Sequence, residues 1–168
     1  IICRGIREAT DSFYTALEKR FQCKDLTYLE EGFPIRYVGL DIELYNKEGK
    51  TYISVNQQAD VENYLQEIEF TAVAGVRNPM PSRHTIGKYP EALPEERASR
   101  YRSIVGALNY YATSLRCDIA YPASRLSQFS SHPTIGSEMA LHKVLSYLSC
   151  TSDFCISSVW TDSNTVEC

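Results

Sequence analysis

The segment from residue 101 to residue 121, YRSIVGALNYYATSLRCDIAY, contains the pattern that most restricts how this chain can fold. Its apolar residues recur at the i, i+3, i+4, i+7 spacing of a helix with one buried face, which requires a partner surface. Gly106 interrupts this helix at a cost of roughly 1 kcal/mol relative to alanine. Arg100 and Arg102 stand on its first turn, where the helix dipole favours acids. A glycine inside the helix and arginines on its first turn are both unfavourable for the helix itself. They predict a partner that approaches the helix backbone closely and binds positive charge. The apolar residues are Tyr101, Ile104, Val105, Leu108, Ala112 and Leu115.

Charge is distributed unevenly along the 168 residues. The whole chain has a formal net charge of −4, but residues 77–125 hold eight Lys and Arg against four Asp and Glu, a net charge of +4. A basic segment in an acidic chain is a candidate for contact with phosphate groups. A solvated helical face is the alternative that charge alone leaves open. No run of 18 apolar residues occurs, so the sequence predicts no membrane-spanning helix.

The order of the remaining patterns predicts an α+β fold. Residues 33–55 alternate apolar and polar side chains around the turn NKEGK, which predicts a β-hairpin. Residues 71–94 contain four prolines and two glycines, which predicts an irregular connector. Three helices that pack on one another are predicted over residues 95–150, the last of them capped by Thr134, because none can bury its apolar stripe alone. Other predicted elements are a strand at residues 1–3, a helix capped by Thr10 or Asp11, a helix from about Gln58 to Ile68, and a final strand in FCISSVWTDSN.

Several motifs resemble those of copia-type retrotransposon reverse transcriptases. The segment YRSIVGALNYYATSLRCDIAYPASRLSQFSSHPT is similar to the family pattern Y-R-S-L-V-G-S-L-x-Y-L, R-P-D-I-A-Y, S-R-L-S-Q-F and N-P-T. LEKRFQCKDLTYL, YVGLDIELYNKEGKTYISVNQQADVENYL, RNPMP and VLSYLSCTSDFCI resemble further family motifs in the same order. Cys117 departs from the family, which has Pro after the Arg, and Asn109, Tyr110 and Tyr111 add polar and aromatic bulk to the helix. The resemblance therefore covers nearly the whole chain.

The resemblance implies a division of the chain into four parts. Residues 1–70 would be the end of the palm with a primer-grip-like β-hairpin, and residues 71–94 the connector. Residues 95–150 would form a three-helix thumb and connection unit. Residues 151–168 would provide a single strand of a truncated ribonuclease H domain, in which Asp162 matches the first metal-binding carboxylate.

The resemblance also implies that this chain has no complete catalytic centre. The family's catalytic aspartates, which hold Mg²⁺, would precede residue 1. Two-metal chemistry needs several converging carboxylates, and Asp162 alone cannot supply them. Asp41 and Glu43 are expected to be structural or exposed, and no spacing of Cys and His fits a zinc site. We therefore expect no metal site here and no polymerase activity from the chain by itself.

Candidate nucleic-acid-binding residues follow from the family's thumb and primer grip. Gly106 would let the backbone approach a duplex closely, while Arg97, Arg100 and Arg102 would meet phosphates. Tight crossing of two helices is the alternative for Gly106, and exposure to water is the alternative for the arginines. Gly39 would admit the primer backbone, or would serve a twist in the strand.

The expected function is to hold a template–primer duplex, either RNA–DNA or DNA, within a longer Pol polyprotein. The expected partners are that duplex and the remainder of the polyprotein, with no membrane. The family implies cytoplasmic retroelement particles or the nucleus as the location. A retroelement remnant that acts as a non-catalytic interaction module, or has no function, is the alternative.

Overall fold

The computed structural model describes residues 7–79 and 83–159, and the predicted strand at residues 1–3 lies outside them. The predicted α+β class is confirmed, because these residues form one four-stranded antiparallel sheet and six helices. None of the helices described has the length and apolar content needed to cross a membrane. The elements in chain order are α1 (Arg7–Glu18), β1 (Ile35–Tyr37), β2 (Leu40–Lys47), β3 (Lys50–Asn56), α2 (Gln58–Glu67), α3 (Arg83–Lys88), α4 (Glu95–Ser114), a 3-10 turn (Cys117–Ile119), α5 (Ala120–Ser127), α6 (Ile135–Cys150) and β4 (Cys155–Val159).

The sheet has the strand order β1-β2-β3-β4. Strands β2 and β3 form the predicted hairpin, with Lys47 opposite Lys50 across the Glu48–Gly49 turn. The predicted final strand is present as β4. It pairs antiparallel with β3, from Tyr52 opposite Val159 to Asn56 opposite Cys155. The end of the described chain therefore belongs to the same sheet as the hairpin.

One predicted strand is in fact two. The alternation through residues 35–44 predicts a single strand, but Tyr37 pairs with Leu40 across a two-residue turn. Val38 has a φ of 50° and Gly39 a φ of 76°, and positive φ at both central residues is the signature of a type I′ hairpin turn. The prediction of one strand was wrong because the alternation of apolar and polar residues runs through the turn without a break and resumes at Leu40 on its other side. Val38 is a β-branched residue in a conformation that costs about 1–3 kcal/mol.

The two faces of the sheet differ in chemistry. Directly opposed residues share a face, so one face carries two apolar rows, neither of which is buried. The opposite face carries Arg36 and the buried Ser54. Arg36 is ion-paired with Asp60 of α2 at 3.4 Å, so this polar face turns towards the helices. The apolar rows are Ile35–Ile42–Val55–Ile156 and Leu44–Ile53.

The core lies entirely within the helical part of the described chain. Every buried apolar residue falls between Val61 and Leu148, and these residues form one cluster contributed mainly by α2, α4, α5 and α6. The predicted stripe of α4 supplies Tyr101, Ile104 and Val105 to it. Residues 7–60 contribute no buried apolar side chain among those described. The helices therefore hold together by hydrophobic burial, whereas the sheet does not.

Three local predictions differ from the structure or are refined by it. The segment 71–94 was predicted to be irregular, yet it contains α3, a short helix whose Ile86 is buried in the core. Burial of this single apolar residue overrides the helix-weakening Gly87. Helix α1 begins at Arg7, before the predicted caps Thr10 and Asp11. The predicted cap Thr134 is confirmed, and it forms a capping box with Ser137.

A buried arginine links the end of α4 to the end of α6. The Arg116 side chain is only 3% exposed, and its guanidinium donates to both carboxylate oxygens of Asp118 at 3.0 and 2.8 Å. It also donates to the backbone oxygen of Thr151 at 2.9 Å and to the Thr151 hydroxyl at 2.6 Å. The Tyr147 hydroxyl donates to Asp118 at 2.8 Å. We call these four residues the Arg116 network; it satisfies a buried charge that would otherwise be costly.

The network sets the pKa of Asp118. Burial raises this pKa, but the hydrogen bonds from Arg116 and Tyr147 and the charge of Arg116 outweigh burial, so the pKa lies below its usual range. A lowered pKa in the folded state stabilises the protein above the unfolded pKa of about 3.9. That stabilisation is lost as the pH falls through the folded pKa.

We predict that Asp118→Asn lowers the free energy of unfolding at pH 7 by roughly 2–3 kcal/mol, because Arg116 stays buried without its anion. The difference between variant and parent should start to shrink as the pH falls below the unfolded pKa of about 3.9, and it should continue to shrink towards the lower folded pKa of Asp118. Urea unfolding from pH 7 to pH 3 measures it. A difference that is independent of pH would contradict the role assigned to this carboxylate.

We predict that Val38→Asn raises the free energy of unfolding by about 1 kcal/mol, because Asn-Gly fits a type I′ turn and asparagine tolerates positive φ. The Val38 side chain is 68% exposed, so little apolar burial is lost. Glu48→Asn, at the equivalent position of the other hairpin with a φ of 52°, is the control. Its gain should be smaller because glutamate is not β-branched. Loss of stability in Val38→Asn would show that the strain is absent.

Candidate nucleic-acid interface

Helix α4 carries most of the predicted binding residues on positions outside its buried stripe. Its inner side is packed by residues such as Tyr101, Leu108 and Tyr111, which are all buried. At 100° per residue, Arg102, Gly106 and Tyr110 are spaced at i, i+4 and i+8 and therefore lie in line on the outer side. All three are exposed. We call this line the outer face of α4.

Arg97 is engaged within the fold. Its guanidinium forms an ion pair with Glu138 of α6, with the Nε donating to Oε1 at 3.1 Å. This hydrogen bond and the charge of Glu138 raise the pKa of Arg97 above its ordinary value. The pair joins two helices across 41 positions of sequence. Arg97 would therefore have to leave an internal partner to contact phosphate.

Arg100 is also held by the fold. Its Nη2 donates to the backbone oxygen of Ile68 at 2.6 Å. Ile68 is the residue that caps the C-terminus of α2, where carbonyl oxygens are unpaired and a cation is favourable. Arg100 lies one turn from Arg97, so both belong to a different side of α4 from Arg102. The structure thus separates the three predicted arginines into two groups. The placement of Arg100 and Arg102 on the first turn was wrong, because α4 begins at Glu95 and its first turn carries acidic residues, as the helix dipole favours.

Arg102 has the partner that is easiest to exchange. It forms an ion pair with Glu95 of the same helix, and the Glu95 side chain is 84% exposed. Surface pairs of this kind contribute about 0–1 kcal/mol. The Arg102 guanidinium can therefore turn from Glu95 to an incoming anion at little cost, and it differs from Arg97 and Arg100 in that its partner belongs to the same helix and does not join two elements.

Gly106 faces open space. A Cβ built at this position meets no atom of the described residues within 4 Å, beyond its own helix backbone and chain neighbours. The alternative that Gly106 permits a tight crossing of two helices is therefore wrong. The missing side chain leaves the α4 backbone accessible on the outer face, between Arg102 and Tyr110.

Gly39 lies at the C-terminal end of the same face. A Cβ at Gly39 would come within 2.6 Å of the Tyr110 hydroxyl oxygen and 3.3 Å of the Asp60 Cγ. The Tyr110 hydroxyl donates to the backbone oxygen of Val38 at 2.9 Å. The structure therefore brings Gly39 together with the outer face through Tyr110. The structure gives Gly39 a place in a tight turn and a contact with Tyr110, and its approach to a primer backbone stays a prediction.

Tyr110 is the residue of this region that the sequence prediction omitted. The prediction treated Tyr110 and Tyr111 together as added aromatic bulk on the helix. The structure separates them, because Tyr111 is buried whereas Tyr110 is exposed at one end of the outer face. The sequence could have revealed this position, because Tyr110 lies four residues after Gly106. In a helix that spacing puts both residues on the same side, away from the buried stripe of α4.

No ligand set for a metal is found in the part of the chain that the structure describes. No group of three or more His, Cys, Asp or Glu residues there is placed to hold an ion. Asp41 lies near Arg36, with 3.9 Å between Oδ1 and Nη1, as a structural carboxylate would. Asp162, predicted to match a ribonuclease H carboxylate, lies outside the described residues. The described residues therefore offer no ligand set for Mg²⁺, the ion of the family that the motifs resemble, and we assign them no metal-dependent step.

Comparisons with known proteins supply no relative for this chain. No family model matches it, and neither a curated protein nor a solved structure matches it. The resemblance to copia-type reverse transcriptases therefore depends on the sequence motifs, and the candidate interface depends on the geometry of α4 and the β1–β2 turn.

Proposed function

We propose that this chain is the C-terminal palm, thumb and connection segment of a copia-type retrotransposon reverse transcriptase, and that it holds the template–primer duplex. The observation that carries this proposal is the outer face of α4. It combines a backbone left open at Gly106 with a guanidinium, that of Arg102, whose internal partner is weak. These are the two features that close contact with a sugar–phosphate backbone requires.

The chemistry of the outer face favours a double-stranded nucleic acid that is recognised by the shape of its groove and not by its base sequence. An RNA–DNA or A-form duplex presents a wide, shallow minor groove lined by sugars and flanked by phosphates. A helix without a side chain at Gly106 can lie close to the sugars, while Arg102 reaches a phosphate. The neighbouring β1–β2 turn, with the exposed Val38 at its tip, would meet the duplex beside the helix.

The remainder of the Pol polyprotein is the second proposed partner. The apolar face of the sheet is not buried, and α1 has no buried residue. Phe13 of α1 and Phe21 just after it are 48% and 65% exposed. Apolar surfaces of this kind mark sites of protein association. In this proposal, residues 7–60 complete a core with other parts of the polymerase.

The alternative function is that of a non-catalytic interaction module derived from a retroelement. The same uncovered apolar surfaces favour it, because they can bind a protein partner without any nucleic acid. Duplex binding separates the two functions, since only the proposed polymerase segment requires the outer face of α4.

We predict that Arg102→Ala weakens binding of the chain to an RNA–DNA duplex roughly fivefold to tenfold at 0.1 M salt. Loss of one phosphate contact should also reduce the slope of log K against log salt by roughly 0.9, the value for B-DNA. Fluorescence anisotropy from 0.05 to 0.3 M salt measures both quantities.

Arg20→Ala is the matched control for charge. It removes the same charge from an exposed residue after α1 that is not part of the outer face of α4, and it should leave the slope unchanged. An unchanged slope in Arg102→Ala, or equal slopes in both variants, would refute the phosphate contact.

We predict that Gly106→Leu separates stability from binding. Leucine is the better helix former and meets no described atom at its Cβ, so the free energy of unfolding should rise by about 0.8 kcal/mol. Duplex affinity should fall at least tenfold, because the side chain would hold the duplex away from the backbone. Equal affinity in the variant would show that the outer face does not touch the duplex.

A further inference from the structure

The sheet is attached to the helices by polar contacts. The buried apolar cluster does not extend into the strands. Besides the covalent connections at Gln57 and after Thr151, the contacts include Arg36 with Asp60 and the Tyr110 hydroxyl with Val38. Both involve the edge strand β1 or the turn that follows it. The position of this turn relative to α4 therefore depends on a few hydrogen-bonding groups.

Gly39 and Tyr110 fit each other in a specific way. The Tyr110 hydroxyl oxygen occupies the space that a side chain at Gly39 would need, 2.6 Å from the Cβ position. From there it donates to the oxygen of Val38, the preceding residue. Gly39 therefore lacks a side chain for reasons of backbone and of space, namely its φ of 76° and the close approach of the Tyr110 hydroxyl, with Asp60 as a weaker contact at 3.3 Å. Gly49 has only the first reason, because nothing lies within 4 Å of its Cβ position.

We infer that Tyr110 is a positioning residue that fixes the β1–β2 turn on α4, so that the turn and the outer face present one continuous surface to the duplex. The part of this inference that concerns the duplex rests on the proposed function. The part that concerns the turn does not. Val38, held with a φ of 50°, is the residue whose orientation Tyr110 sets.

A double-mutant cycle tests the contact without any ligand. In the parent, Gly39→Ala must both adopt a positive φ and displace the Tyr110 hydroxyl, so it should lower the folding equilibrium constant about fivefold more than Gly49→Ala does. In the Tyr110→Phe background the hydroxyl is gone, so the excess cost of Gly39→Ala over Gly49→Ala should fall to the smaller part that comes from Asp60, whose Cγ lies 3.3 Å from the Cβ position. Urea unfolding of the six proteins measures the cycle. Equal costs of the two glycine substitutions in the parent would overturn the inference.

Hydrogen exchange provides a second readout that does not require loss of global stability. Tyr110→Phe should speed exchange of backbone amides in residues 36–41 about fivefold and leave residues 50–56 of the same sheet unchanged. Equal acceleration in both segments would show that Tyr110 acts on the whole sheet, which contradicts a role in positioning the turn.

Duplex binding tests the functional part. Tyr110→Phe should weaken RNA–DNA binding about threefold without changing the salt slope, because no phosphate contact is removed. Unchanged affinity, together with the expected exchange result, would show that Tyr110 positions the turn but that the turn does not contribute to duplex binding, and it would leave the proposed function intact. Failure of the unmodified chain to bind duplex would refute the proposed function and the part of the inference that concerns the duplex, and the cycle would still decide whether Tyr110 holds the turn.

Discussion

The buried charge of Arg116 is the interaction on which the arrangement of the elements depends. Its guanidinium makes four hydrogen bonds, two to Asp118 and two to Thr151, and so ties the start of α5 to the end of α6. The Phe154 ring lies 5.3 Å from the guanidinium carbon, immediately before β4. A buried guanidinium tolerates few arrangements of its partners. The network thus fixes where α4 ends and where the chain turns back into the sheet.

The described chain divides into a part that buries its own core and a part that does not. The helices share a continuous apolar cluster. Because this cluster holds the inner side of α4, the outer face of α4 can stay exposed to solvent. The sheet presents an unburied apolar face on one side and joins the helices by polar groups on the other. Helix α4 is fixed by the core, whereas the β1–β2 turn beside it is attached by a few hydrogen bonds. We expect such a surface to adjust to the shape of a bound duplex.

Sequence periodicity was sufficient for the helices but not for the contacts between them. The stripe containing Tyr101 and Leu108 is buried as predicted, because helical spacing alone determines which side chains share a face. The partners of Arg97 and Arg100 lie 41 and 32 positions away in sequence, so no local pattern could reveal them. Periodicity could not reveal the turn at Val38, because a two-residue turn does not interrupt the alternation of apolar and polar residues. Asp162 and the strand at residues 1–3 stay predictions.

The central claim is that a nucleic-acid duplex lies along the outer face of α4. Photo-crosslinking with benzoylphenylalanine at Ser103, an exposed residue next to Arg102, tests it most directly, with Met139 on the exposed side of α6 as the reference position. The account predicts crosslinks to an RNA–DNA duplex from position 103 that exceed those from position 139 by at least tenfold and that an unlabelled duplex suppresses. Equal yields from the two positions, or none from position 103 while the chain binds the duplex, would contradict it.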